Sequence, residues 1–207
     1  VSYWFWKRQP ETLLKERRIP FTRHIFANGL REILKHKTTI GYTLISGFIT
    51  GSFIVYLSAS PQIFQHQYNL EDEFPYIFSG LAVSVGLAAF MSGTLVLKFG
   101  MKRLVSIALL GYFALPLLYI ILFYDSPNPS VVVLLIFFAL QFFAIGFLFG
   151  NLRALAMQPI GHIAGIGAAI TGFVSTIMAV PISTYIGSFI STTALPLFIG
   201  FLICGLL

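Results

Sequence analysis

The chain has 207 residues, 57% of them hydrophobic and only 10% charged, and its mean hydropathy of +0.87 excludes an ordinary soluble domain. The net charge of +6 does not point to nucleic acid, because every Lys and Arg other than Lys98, Lys102, Arg103 and Arg153 lies at or before Lys37, a pattern that sets membrane topology. The single cysteine, Cys204, excludes a disulfide framework or a Cys-based metal site within one chain.

The apolar runs are continuous rather than alternating, which predicts an all-α, multi-pass membrane protein and not a barrel. The opening aromatics Tyr3, Trp4, Phe5 and Trp6, followed by Lys7 and Arg8, read as the interfacial end of a preceding helix. A signal peptide fits poorly, since the apolar stretch is too short and the positive residues follow it. Residues 1–37 are expected to form a cytoplasmic linker. A short amphipathic helix from Thr22 would turn Phe26, Leu30, Ile33 and Leu34 to one side and Arg23, Arg31 and Lys35 to water.

Residues 38–207 are expected to form a six-helix bundle. Span one, 38–58, meets the ~20-residue requirement for crossing a bilayer. It carries a polar stripe of Thr39, Thr43, Ser46 and Thr50, and a Gly47/Gly51 pair at the spacing that lets helix backbones approach closely. Span two, 75–97, contains Gly80, Ser84 and Gly86. Span three, 104–123, is bulkier, contains Pro116 as an expected kink, and is expected to face lipid more than spans one and two. Span four, 131–151, holds Gln141 and the pair Gly146/Gly150; span five, 163–186, is rich in Gly and Ala. Span six, 194–207, falls short of ~20 residues, and both ends of the chain are expected to be cut.

The loops alternate in charge. Glu71, Asp72 and Glu73 follow span one, Asp125 follows span three, and neither loop holds a Lys or Arg; Lys98, Lys102 and Arg103 follow span two, and Arg153 and His162 bracket the loop after span four. Retention of positive charge at the cytoplasmic face puts the basic loops inside, the acidic loops outside and both ends of the bundle in the cytoplasm.

No metalloprotease, nucleophile-elbow or phosphate-loop motif is present, and Gly165-Ile166-Gly167 lacks the third glycine of a dinucleotide fingerprint, with Ile170 in its place. His24, His36, His66 and His162 lie in or beside loops, where solvated or capping roles outweigh metal ligation; no metal, cofactor or catalytic residue is expected. Arg153 has two readings, a contact to a substrate anion or a side chain that snorkels to the interface. No span carries a carboxylate, so a proton-coupling acid would have to lie elsewhere.

The stretch from 93 to 103 resembles the signature loop of the major facilitator superfamily: Gly93, Leu95, Lys98, Gly100, Lys102 and Arg103 match it, while Leu97 occupies the acidic position, as in the degenerate copy of the second half. Pro10-Glu11-Thr12-Leu13, GYTLISGFITGSFIVYLSASPQIFQ from Gly41 and GNLRALAMQPIGHIAGIGAAITG from Gly150 are similar to the Bcr/CflA branch of drug:proton antiporters. The resemblance implies the C-terminal six-helix half of a twelve-helix transporter in the bacterial inner membrane. It further implies small-molecule substrates, protons as the coupling ion and a coupling acid in the N-terminal half. Spans one, two, four and five would bound the pathway, with spans three and six behind them.

On that reading Tyr42, Ser46, Thr50, Phe53 and Gln141 line this half's share of the pathway, suited to drugs or small amphiphilic metabolites; the alternative is that their polar groups only join helices. Gly93, Lys98, Gly100, Lys102 and Arg103 would form a cytoplasmic gating loop. The rival class is a self-contained six-helix protein acting as a homodimeric channel or scaffold, which the small-residue pairs equally permit.

Overall fold

The structure, a computed structural model, describes residues 2–9, 23–125 and 128–207. The Pro10 to Leu13 segment that contributes to the resemblance, the rest of the linker through Thr22, where the amphipathic helix is expected to start, and Pro127 lie outside the described residues. Among the described residues eight α-helices follow in order: α1 (Ser2–Arg8), α2 (Arg23–Lys35), α3 (Lys37–Pro61), α4 (Phe74–Phe99), α5 (Met101–Phe123), α6 (Val131–Met157), α7 (Ala164–Gly187) and α8 (Leu195–Leu206). A π-helical turn, Gln62–Gln67, extends α3, and a 3₁₀ turn, Gln158–Ile163, links α6 to α7.

Among the described residues, four helical runs are long and apolar enough to cross a membrane: Lys37–Gln67, Phe74–Phe99, Met101–Phe123 and Val131–Gly187. The last contains both α6 and α7, broken at Ile160, whose φ of −115° and ψ of 23° leave helical geometry. Pro159 helps end α6, since a proline cannot donate to the preceding turn. The α8 helix has 12 residues, so at about 1.5 Å per residue it falls well short of the ~30 Å hydrocarbon core.

At the centre stands α6, packed against α3, α4 and α5; α3 also packs along α7, and α5 pairs with α8. Between apolar helices in lipid, close contact rather than exclusion of water holds the bundle together. The α3–α7 seam shows how: a Cβ at Gly47 would meet Met178 Sδ at 2.9 Å, and one at Gly51 would meet Ile182 at 3.0 Å. Gly146 lets α6 approach α4, where a Cβ would lie 2.5 Å from the Val85 carbonyl oxygen. The second member of that pair, Gly150, and the α4 glycines Gly80 and Gly86 face open space and mediate no close approach among the described residues.

Two expectations change. Helix α4, not α5, is the more exposed: it buries only Leu81 and Ala88, whereas α5 buries Leu104, Val105, Ala108, Tyr112, Pro116 and Tyr119. The reason is that α5 is held between α6 and α8, with Tyr119 stacked on Phe198 at 3.7 Å between ring centroids and Tyr112 edge-on to Phe201 at 6.0 Å. The basic turn also shrinks to one residue, Gly100, because α4 runs to Phe99 and α5 starts at Met101.

The two ends of the bundle differ in charge. At one end Thr39 Oγ1 donates to the Ala156 carbonyl (2.9 Å) and Asn151 Nδ2 to Ser92 Oγ (2.7 Å), which gathers the ends of α3, α4 and α6 beside Arg153. Helix α2 docks there through Gly29, where a Cβ would lie 2.6 Å from Ile166, and through buried Ile33, leaving Phe26, Leu30 and Leu34 partly exposed. At the other end Asn128 ties three loops, donating to Gln67 Oε1 (3.0 Å) and the Thr192 carbonyl (3.3 Å) and accepting from Ala194 N (3.0 Å). Glu71, Asp72, Glu73 and Asp125 stand on that side.

Candidate functional site: a hydroxyl-lined cavity at the basic end

Near the basic end α3, α6 and α7 enclose a cavity of about 250 Å³. From α3 come Tyr42, Thr43 and Ser46; Arg153, Ala156 and Met157 come from α6. The α7 wall carries three further hydroxyls, Thr171, Ser175 and Thr176. Helical spacing explains the arrangement, since 42, 43 and 46 share one side of α3, and 171, 175 and 176 share one side of α7.

Most of these hydroxyls are already committed. Thr43 Oγ1 donates to Thr39 O (2.7 Å), Thr171 to Gly167 O (2.8 Å) and Thr176 to Gly172 O (2.9 Å), the back-bonding that satisfies a hydroxyl within an apolar helix. Ser175 Oγ crosses to the Thr43 carbonyl at 3.3 Å and so joins α7 to α3. Tyr42, Ser46 and Arg153 have no hydrogen-bond or ion-pair partner among the described residues.

The five residues expected to line the pathway divide three ways. Tyr42 and Ser46 are on the cavity wall. Thr50, one turn further along α3, has a buried Oγ1 with no partner. Phe53 and Gln141 are elsewhere: Phe53 packs edge-on to Phe142 and Phe149 at 5.5 and 5.4 Å. Gln141, fully buried, donates to the Tyr112 carbonyl at 3.2 Å beside a Ser52–Tyr112 hydroxyl pair at 2.6 Å. Helix α4, expected to help bound the pathway, contributes nothing to this cavity.

Of the expected gating residues, Lys98, Lys102 and Arg103 are exposed and Gly93 faces open space. Gly100 is the hinge between α4 and α5, with φ of 82° and ψ of 146°, a backbone conformation that L side chains rarely adopt. Its N–H caps α4 on Val96 O (2.9 Å), while its carbonyl accepts from Leu104 N (3.1 Å) at the start of α5. Lys98, in the last turn of α4, also opposes the negative end of the helix dipole.

Arg153, expected at a loop edge, lies within α6, exposed and on the cavity wall. Other features went unread in the sequence. A second polar cavity of about 310 Å³ lies at the acidic end of the α3–α7 seam, with Ser58, Gln62, Ser183 and Thr184 on its wall. Between the two, Met178 and Ile182 seat over Gly47 and Gly51. Glu32 pairs with Lys35 (2.9 Å) and His36 (3.4 Å) and approaches His162 (4.0 Å); the hydrogen bond from Lys35 holds its carboxyl below the usual range. Burial pushes the Tyr68 phenol, which donates to Pro129 O at 2.7 Å, up to about 12.

Comparison with known proteins extends these observations. The family model of the Major Facilitator Superfamily matches residues 1–183. An uncharacterized MFS-type transporter, YdgK, of Bacillus subtilis (strain 168) is 29% identical over 195 residues, covering 92% of this chain and 47% of the relative. A bicyclomycin resistance protein homolog of Haemophilus influenzae is 27% identical over 140 residues, covering 59% of this chain and 35% of the relative. The chain thus spans about half the length of the first and about a third of the second. No solved structure matches.

Proposed function

The chain belongs to the major facilitator superfamily, a family of membrane transporters and not of enzymes, and from that premise we propose that it forms the C-terminal six-helix bundle of a twelve-helix, proton-coupled exporter of the Bcr/CflA type. It acts in the bacterial inner membrane, moving drugs or small amphiphilic metabolites by alternating access. Helices α3 to α8 are this half's six crossings.

The observation that carries the reading is the hydroxyl-lined cavity among helices that are otherwise apolar. A purely structural bundle gains nothing from leaving Tyr42 and Ser46 without partners, whereas a solute pathway needs polar groups that exchange partners with cargo. The similarity to a bicyclomycin resistance protein homolog supports drug efflux. No carboxylate lies in any membrane helix described here, so on this reading the proton-coupling acid belongs to the N-terminal half.

The test is growth of a hypersensitive bacterial strain expressing the full-length protein on bicyclomycin and a panel of antibacterial compounds, with substrate-induced proton movement followed in everted vesicles. Protection together with proton release on substrate addition is the expected result; neither would count against efflux. The exposed apolar face of α4, with Gly80, Gly86 and Gly93 uncovered, also suits a second copy of the bundle. Cross-linking of the full-length protein distinguishes the two, since a homodimer places α4 against α4.

A further inference from the structure

We infer that the basic-end cavity is an acceptor-selective subsite, built to hold an anionic oxygen group such as a carboxylate or sulfonate on the transported compound. The inference rests on the transporter reading above and goes beyond it in naming a substrate class.

What the cavity offers is lopsided. Its uncommitted polar groups are the Arg153 guanidinium, the Tyr42 phenol and the Ser46 hydroxyl, on α6 and α3. An arginine can only donate, and it presents a planar fork that matches a carboxylate or sulfonate. Ser46 is only 4% exposed as a residue and its hydroxyl has no partner among the described residues, so it is free to donate to a group that enters the cavity. The threonine hydroxyls on the wall have spent their hydrogens on backbone carbonyls and recruit no further acceptor.

Among the described residues no Asp or Glu lies on the wall, so none of them neutralises Arg153 there or would attract a cationic compound. Snorkelling accounts for an arginine near a helix end, but not for its sharing a cavity with a buried, unpartnered serine. The remaining wall, Ala156, Met157, Ala168 and Gly172, is small and apolar and leaves room for the carbon skeleton of the same molecule.

The test uses the full-length protein in nanodiscs and two probes that differ in charge, benzoate and benzamide, with binding followed by saturation-transfer NMR. Benzoate should bind about tenfold or more tighter than benzamide, the ratio one charge-assisted hydrogen-bonded pair supplies. Arg153→Gln should abolish that preference, Arg153→Lys should keep part of it, and Ser46→Ala should weaken benzoate more than benzamide. Equal binding of the two probes, absence of benzoate binding, or an unchanged preference in Arg153→Gln overturns the inference. A benzoate preference in a protein that gives no growth protection would leave the subsite standing and remove the efflux reading; protection without the preference would do the reverse.

Discussion

Gly146 offers the sharpest test of how the bundle packs. A Cβ at this position would sit 2.5 Å from the Val85 carbonyl oxygen and 2.7 Å from Ala88 Cβ, where ordinary contact begins at 3.4 Å. The obstructing atom is backbone, so no side-chain rotation relieves the overlap, and α6 and α4 must separate by most of an ångström. Gly146→Ala therefore carries an overpacking cost of about 1–3 kcal/mol, set against a helix-propensity gain of up to ~1 kcal/mol for replacing glycine within a helix. Gly150→Ala, one turn along the same helix with nothing within 4 Å, receives the gain without the cost. The difference between the two variants isolates the contact at ~1–3 kcal/mol, or roughly 2–12 °C at the ~2–4 °C per kcal/mol of a domain this size. Thermal unfolding of both variants of the full-length protein, in one detergent, measures it. A Gly146→Ala midpoint equal to or above that of Gly150→Ala would refute the packing described for α4 and α6.

Gly100→Ala places a Cβ on a backbone of φ 82° and ψ 146°; at a strain of ~1–3 kcal/mol, it should lower transport while leaving membrane insertion intact, whereas unchanged transport would reduce the turn to a topological marker. Asn128→Ala removes three hydrogen bonds that tie the acidic-end loops, and limited proteolysis from that side should cut them several times faster; equal rates would mean the clasp is idle. Alkaline phosphatase fused after Asp72 should be active and after Lys102 inactive, and equal activity at both would undo the topology.

The fold was legible where a single helix carries the signal. The stretches apolar enough to form helices, the alternation of basic and acidic connections, and the four-residue spacing of Gly47 and Gly51 all lie within one segment, so they could be read without knowing its neighbours. What depends on helix rotation could not. Ser52, Tyr112 and Gln141 meet from three different helices, and their joint burial follows from how α3, α5 and α6 turn toward one another. Gln141, expected on the pathway, donates its amide N–H within the α5–α6 seam, while its Oε1 is buried with no partner among the described residues. Arg153 was ambiguous for a related reason: α6 continues to Met157, past the point where its charge made a loop the natural reading. Gly150 and Gly80 show the limit of counting small residues, since such a pair is informative only when a neighbour occupies the space above it. Asn128 lies in a short polar loop, and nothing local marks it as the residue that holds three connections together.

The central claim is that solute reaches the cavity between α3, α6 and α7. Its most direct measurement is labelling of Ser46→Cys, in a cysteine-free background of the full-length protein that includes Cys204→Ala, by a membrane-impermeant thiol reagent with and without a transported compound. Labelling that the compound slows in proportion to its occupancy is the predicted result. A thiol at position 46 that never labels, or that labels at the same rate with saturating compound present, would contradict it.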